Sequence, residues 1–219
     1  MNCIVTAGPT YETMDNVRRL TNFSTGQLGT ELANFLAARG HEVTLLIGEQ
    51  ATYCGERKAH RVVPFSTTAN LREQLQRLSH GGVGSVNAVF HAAAVSDYTF
   101  GKIWVRSGSG ELTEAKSGKI STSEGTLLAE LVPTPKIIAD LRDWFPNAQL
   151  VGWKFEVDGT RADALKAAEK QVQTCHTNAC VANGRAYGEG FGLRHADGKL
   201  LHLADKPTLF TALAKMVEI

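Results

Sequence analysis

Along this chain the hydrophobic positions switch repeatedly between a strand period and a helix period. Cys3-Ile-Val-Thr-Ala7 is a short apolar run of the kind that forms a buried strand. From Gly26 to Ala38 the apolar side chains of Leu28, Leu32, Phe35 and Leu36 recur at helical spacing, and Gly40 supplies the stop. Strand patterns return at Val43-Thr-Leu-Leu-Ile47 and Arg61-Val-Val-Pro-Phe65. A helix over about 69–78 and a glycine-rich turn at Gly81-Gly82-Val-Gly84 follow, and then Ala88-Val-Phe-His-Ala-Ala-Ala94. A nearly unbroken apolar run suits a strand covered on both faces. Strands separated by helices in this order predict an α/β fold: a doubly wound, mostly parallel, Rossmann-like sheet with right-handed crossovers.

The pattern breaks at Thr99. Residues 100–119 (FGKIWVRSGSGELTEAKSGK) are rich in glycine, serine and lysine and have little periodicity, so they predict a mobile flap. Residues 126–132 then read as a strand, Pro133-Thr-Pro135 punctuates, and Pro135 suits the first turn of a helix running toward Trp144. Leu150–Phe155 is a further strand, 162–172 a helix and Ala179–Asn183 another strand. The chain closes with a β-hairpin turning at Asp197-Gly198 and a helix capped by Asp205, with Pro207 in its first turn. No repeat and no second hydrophobic unit is visible, so residues 1–219 are read as one domain.

Composition narrows the function without naming it. Lys and Arg number 23 against 22 Asp and Glu, so no global field favours nucleic acid or an anionic membrane, and an anion site must be local. The N-terminus has no basic stretch followed by a long apolar one, and no run approaches the ~20 residues that span a bilayer. A cytoplasmic location is the expectation. Cys175 and Cys180 have no second cysteine pair to complete a tetrahedral zinc site, and no metal-binding residues are predicted.

The chemistry concentrates in Leu20-Thr-Asn-Phe-Ser-Thr-Gly-Gln-Leu-Gly29. Ser24-x-Gly26-x-x-Gly29 has the spacing of a dinucleotide loop, Glu49 lies twenty residues on, and Tyr98-x-x-x-Lys102 mimics an oxidoreductase pair. An NAD(P)-dependent oxidoreductase is therefore one reading. Against it, the loop is detached from its strand, and the tyrosine and lysine lead into a flap instead of lying one helical turn apart. Without that template, a serine and two glycines at a helix start offer amides and a hydroxyl to phosphate oxygens, and Asn22 offers an amide to a carboxylate or carbonyl. Ala92-Ala-Ala-Val-Ser-Asp97 puts small residues and an acid past the carboxyl edge of a strand, where open α/β sheets bind ligands. Lys119, between a glycine and an isoleucine at the end of the flap, can neutralise a phosphoryl group. A non-catalytic nucleotide sensor would keep such a cradle, but would not need both Asn22 and Lys119.

Five ordered segments carry a resemblance. They are Val5-Thr-Ala-Gly-Pro-Thr10 with Asp15 and Val17-Arg18; Thr21 to Gly29; Ala92 to Tyr98; Lys119-Ile with Val132-x-x-Pro135-Lys-Ile-Ile138; and Val151-Gly-Trp-Lys-Phe-Glu156 with Val181-Ala-Asn183. Together they resemble the phosphopantothenoylcysteine synthetases, or phosphopantothenate–cysteine ligases, of coenzyme A biosynthesis. The resemblance implies activation of the 4′-phosphopantothenate carboxylate by CTP or ATP with Mg²⁺, then attack by the amine of L-cysteine. It implies that Asn22 and Lys119 are catalytic and that Gly8, Ser24, Gly26 and Gly29 form a phosphate cradle. Ala92, Ala93, Asp97, Pro135, Lys136, Ile137, Ile138 and Trp153 would bind base and ribose, with Asn22 and Asn183 contacting substrate. Bifunctional bacterial relatives carry a flavin-binding decarboxylase ahead of the synthetase. This chain has no room for it, so the monofunctional form and no flavin are implied, with CTP favoured and a homodimer expected. Where those bacterial relatives have two lysines before Val-Ala-Asn, this chain has Gln171 and Cys175, whereas Lys154 and Lys170 match monofunctional members.

Overall fold

The computed structural model describes residues 1–80, 85–115, 118–121 and 125–218. In chain order it contains β1 (Asn2–Ala7), the short hairpin β2 (Tyr11–Thr13) and β3 (Arg19–Thr21), α1 (Gln27–Ala38), β4 (Glu42–Gly48), β5 (Arg61–Phe65) and α2 (Thr68–His80). Then come β6 (Ala88–His91), β7 (Tyr98–Arg106), β8 (Leu112–Glu114), β9 (Thr126–Pro133), α3 (Ile137–Trp144) and β10 (Gln149–Phe155). The last elements are α4 (Arg161–Cys175), β11 (Ala179–Asn183), β12 (Phe191–His195), β13 (Leu200–Leu203) and α5 (Lys206–Lys215).

Eight strands form one sheet in the order β13-β12-β11-β10-β6-β1-β4-β5. The six from β11 to β5 run parallel, and the β12–β13 hairpin adds the antiparallel edge. Alternation along the buried strands sends their side chains to two cores. Cys3, Val5, Ala7, Leu45 and Phe90 join Leu32 and Leu36 of α1 and Leu213 of α5. Ile4, Leu46 and Val89 join Leu71 and Leu75 of α2 and Ile137 and Leu141 of α3. α4 lays Ala164 and Ala168 on Cys180 and Ala182, next to α3. The predicted doubly wound sheet, the closing hairpin and the Asp205 cap, which accepts from Thr208 N–H at 2.8 Å, are present. No helix among the described residues is long and apolar enough to cross a membrane.

Four features depart from the sequence expectations. Half of the segment read as a mobile flap is strand: it holds most of β7 and all of β8, and β7 pairs antiparallel with both β8 and β9. Ile103 and Val105 turn to a small core with Ile120, a two-residue alternation that the surrounding Gly, Ser and Lys content conceals in the sequence. The β2–β3 hairpin is equally hidden, being only three residues on each side. The apolar run after β6 leaves the ladder at Ala92, so its alanines form a loop, and Ala94 alone makes a bridge, to Pro9. Pro135 precedes the α3 N-cap, Lys136, instead of lying in the first turn. The glycine turn predicted at 81–84, and Ser117 of the flap, lie outside the described residues.

Candidate active site

From β1 the chain winds outward to β4 and β5, then returns to β6 and winds the other way to β10 and β11. The reversal lies between β1 and β6, the position at which a crevice opens beyond the strand ends. Its walls are the segment from Gly8 to Thr10 and the loop from Ala92 to Asp97. They are laced together by Ala94 N–H to Gly8 O (2.9 Å), Thr10 N–H to Ala94 O (3.1 Å), Ala92 N–H to Thr6 O (3.2 Å) and Ser96 N–H to Thr10 Oγ1 (2.8 Å). Beneath them Thr6 Oγ1 accepts from Ala93 N–H at 3.1 Å and lies 3.0 Å from His91 Nδ1. Burial pushes the His91 imidazole down to about 4, so it is neutral at pH 7. Thr6 and His91 were not singled out from the sequence. Their one signal there is polarity inside otherwise apolar runs.

α1 begins against this crevice. Gly8 and Gly26 both have φ +78°, open to glycine and costly for other residues. A Cβ on either would lie within about 3 Å of Ala51 Cβ, at 2.9 and 3.0 Å, and one on Gly26 also 3.3 Å from Gly8 Cα. The two backbones are thus in contact. Gly26, not Ser24, is the N-cap, and it has no side chain to give. Thr25 Oγ1 accepts from Gln27 N–H at 3.3 Å, and Thr30 N–H closes the first intrahelical bond on Gly26 O. The amides between them point out of the helix start, at its positive end. Gly29 faces backwards: a Cβ there would meet Ala7 Cβ at 2.6 Å and Thr6 O at 3.1 Å, so its missing side chain lets α1 sit close on β1.

The arm formed by β2–β3 and β7–β9 supplies the remaining predicted residues. Asn22 follows β3 and donates through Nδ2 to Ala94 O at 3.2 Å, which puts its amide on the crevice loop. Lys119 is exposed, next to Gly118, whose carbonyl accepts from Asn16 N–H at 2.9 Å. Asp97 and Lys136 form an exposed ion pair, and Asp97 O accepts from Thr134 N–H at 3.0 Å. Ile137 is 2% exposed inside the α2–α3 core and Ile138 packs against that core, so they anchor α3 and their side chains do not line the crevice. Pro135 borders a separate cavity of about 360 Å³ with Glu12, Thr68 and Arg72.

Trp153 and Asn183 lie on neighbouring strands near their carboxyl ends, on the face covered by α1 and α5. Trp153 Nε1 and Asn183 Oδ1 are both buried without a hydrogen-bond partner. Such orphans are uncommon in proteins, and these two lie on one face of the sheet. On the opposite face Gln171 donates to Cys180 Sγ at 3.2 Å, and a Cβ on Gly152 would collide with its amide at 1.9 Å. Cys175 lies one turn further along α4. The oxidoreductase pair does not form: Tyr98 and Lys102 lie on β7, with a ladder irregularity between Phe100 and Ile103, and Glu49 accepts from Tyr11 Oη at 3.2 Å.

The family model for the DNA/pantothenate metabolism flavoprotein C-terminal domain matches residues 1–216. The chain belongs to that family. Its relatives include the coenzyme A biosynthesis bifunctional protein CoaBC of Thermococcus kodakarensis, 31% identical over 186 residues, which are 84% of this chain and 42% of the relative. The corresponding protein of Bacillus subtilis is 28% identical over 86% of this chain and 42% of its own length. The chain thus spans less than half the length of these relatives. Among solved structures, the DNA/pantothenate metabolism flavoprotein of Streptococcus pneumoniae superposes with a TM-score of 0.82 at 24% identity, covering 100% of this chain and 98% of that one. A Cab2 variant in complex with phosphopantothenate-cysteine has the same fold, with a TM-score of 0.71 at 18% identity over 99% of this chain and 87% of its own.

Proposed function

We propose that this domain is a phosphopantothenate–cysteine ligase of the cytoplasm. It would use CTP, with ATP as the second nucleotide to test. The observation that carries the reading is the crevice at the β1–β6 reversal, where the glycine-lined, uncapped start of α1, the Ala92–Ala94 loop and the Asn22 amide converge. In the first step a carboxylate oxygen of 4′-phosphopantothenate attacks the α-phosphorus. A new P–O bond forms, the α–β bridge breaks and pyrophosphate leaves. In the second, the cysteine amine attacks the acyl carbon, the nucleoside monophosphate departs and the ammonium proton is lost.

Neither step needs a nucleophile from the protein; both need stabilisation of charge on phosphate oxygens. The amides after Gly26 with Ser24 would hold phosphates, Asn22 the acyl oxygen, and Lys119 the charge developing at the α-phosphate. Trp153 and Asn183 offer polar atoms to base or substrate. Mg²⁺ would be held chiefly by the phosphate oxygens of the nucleotide. Mg²⁺ supplies charge neutralisation there. A homodimer is part of the proposal. β9 is an edge strand of the arm's three-stranded sheet and leaves Leu128 and Leu131 exposed, a pattern that a second copy of the chain would cover.

The test follows pyrophosphate with CTP or ATP, Mg²⁺, 4′-phosphopantothenate and L-cysteine. Product that requires cysteine supports the ligase. Nucleotide binding without turnover supports a sensor, and hydride transfer to NAD(P)⁺ an oxidoreductase; either overturns the proposal. Asn22→Asp should abolish the pre-steady-state burst of acyl-nucleotide, because a second carboxylate would face the one being activated.

A further inference from the structure

Asp15 lies in the β2–β3 turn, away from the crevice, yet its side chain is only 2% exposed. Oδ1 accepts from Val17 N–H at 2.9 Å and Arg18 N–H at 2.7 Å, which already closes the turn. Oδ2 does more than the turn requires. It accepts from Arg18 Nε at 3.0 Å and from Ile120 N–H at 3.3 Å, a residue 105 positions away in sequence. Arg18 Nη2 returns to Ile120 O at 2.5 Å, and Asn16 N–H reaches Gly118 O at 2.9 Å. The backbone is thereby fastened on both sides of Lys119, at Gly118 by its carbonyl and at Ile120 by both of its backbone groups. The Ile120 side chain is 4% exposed among Ile103 and Val105, with Met14 of the same turn packed against them.

The same hairpin leads directly into Asn22. Asp15 therefore joins the two segments that carry the proposed catalytic side chains. Burial alone would raise its carboxyl, but the amides of Val17, Arg18 and Ile120 and the Arg18 side chain hold it at about 2. It stays ionised over the whole working range, so the clasp does not loosen with ordinary changes of pH.

We infer that Asp15 is a positioning residue for Lys119, which with Arg18 sets the distance between that lysine and Asn22 across the bound phosphates. The inference rests on the ligase reading, and a double-mutant cycle separates the two. Wild type, Asp15→Asn, Lys119→Gln and the double variant are compared by kcat for cysteine-dependent pyrophosphate release and by nucleotide Kd. Misplacing a charge stabiliser by a fraction of an ångström costs on the order of tenfold or more, so Asp15→Asn should lower kcat at least tenfold with Kd changed less than about threefold. In the Lys119→Gln background the same substitution should change kcat less than about threefold, because the side chain it positions is gone. A role confined to stability would instead give equal losses in both backgrounds, and that result overturns the inference while leaving the ligase intact. Should Asp15→Asn fail to fold, Asp15→Glu, which keeps the charge and displaces it by one methylene, is put through the same cycle with the same criteria. A wild-type protein without cysteine-dependent turnover removes the ligase reading and this inference together.

Discussion

At the sheet reversal, Gly8, Gly26 and the Ala92–Ala94 loop rest on strands buried on both faces, and their contacts are made by backbone. In the arm, Asn22 and Lys119 are exposed side chains on segments that leave Phe23, Leu128 and Leu131 in solvent. The first region holds atoms in place through a packed core, the second through a few long-range hydrogen bonds gathered on Asp15. On the proposed function, the phosphate cradle must not yield, whereas groups that meet changing charge must be placed accurately but reach through solvent. Damage to the first region should therefore appear as lost stability, and damage to the second as lost turnover on a folded protein.

Acid tests the cradle most severely. His91 titrates at about 4 when folded and near 6.5 when unfolded. Between those values the unfolded chain binds more protons, so stability is complete above about 6.5 and is lost as pH falls toward 4. The shift corresponds to about 3 kcal/mol. His195, also lowered by burial, acts with the same sign. Denaturant midpoints between pH 7 and 4 should show a slope that flattens in His91→Gln; an unchanged slope would remove His91 as its source.

For the arm, Lys119→Gln should lower turnover by ~10², the scale of one lost charge stabiliser, with nucleotide binding within about tenfold and an unshifted Tm. If Tm falls instead and turnover of the folded fraction is normal, the contrast between the regions breaks down. Gly29→Val belongs to the cradle and should lower Tm by about 2–4 °C. Overpacking against Ala7 costs about 1–3 kcal/mol, more than the ~1 kcal/mol that leaving glycine gains in a helix. The smallest effect is expected from Lys136→Ala: an exposed ion pair contributes less than about 0.5 kcal/mol, so Tm should hold while nucleotide Kd rises about threefold.

Much of the sheet was legible because buried parallel strands must be apolar throughout and their helices must show a 3.6-residue period. Ala179–Asn183 and Arg61–Phe65 were found at their observed bounds. The arm was legible only at β9, read as a strand over 126–132 and observed at Thr126–Pro133. β2 and β3 are too short for a period, and β7 hides Ile103 and Val105 among glycines and lysines. The glycine spacing around Gly26 was readable, but the division of labour within it was not: Gly26 caps the helix while Gly29 packs on β1. Ile137 and Pro135 show the same limit, since a motif fixes neighbours in sequence and not the direction in which each side chain points.

What the sequence determined by itself is local: which stretches are buried, where helices start and stop, and which residue types could meet phosphate and carboxylate. Tertiary structure decided which strand ends face one another, that Asn22 lands on the Ala94 carbonyl, and that an aspartate in a three-residue-stranded hairpin holds the backbone around a lysine 104 positions later. Those choices depend on pairing between distant segments. Hydrophobic pattern reports how deep a residue lies, but carries no record of its partner.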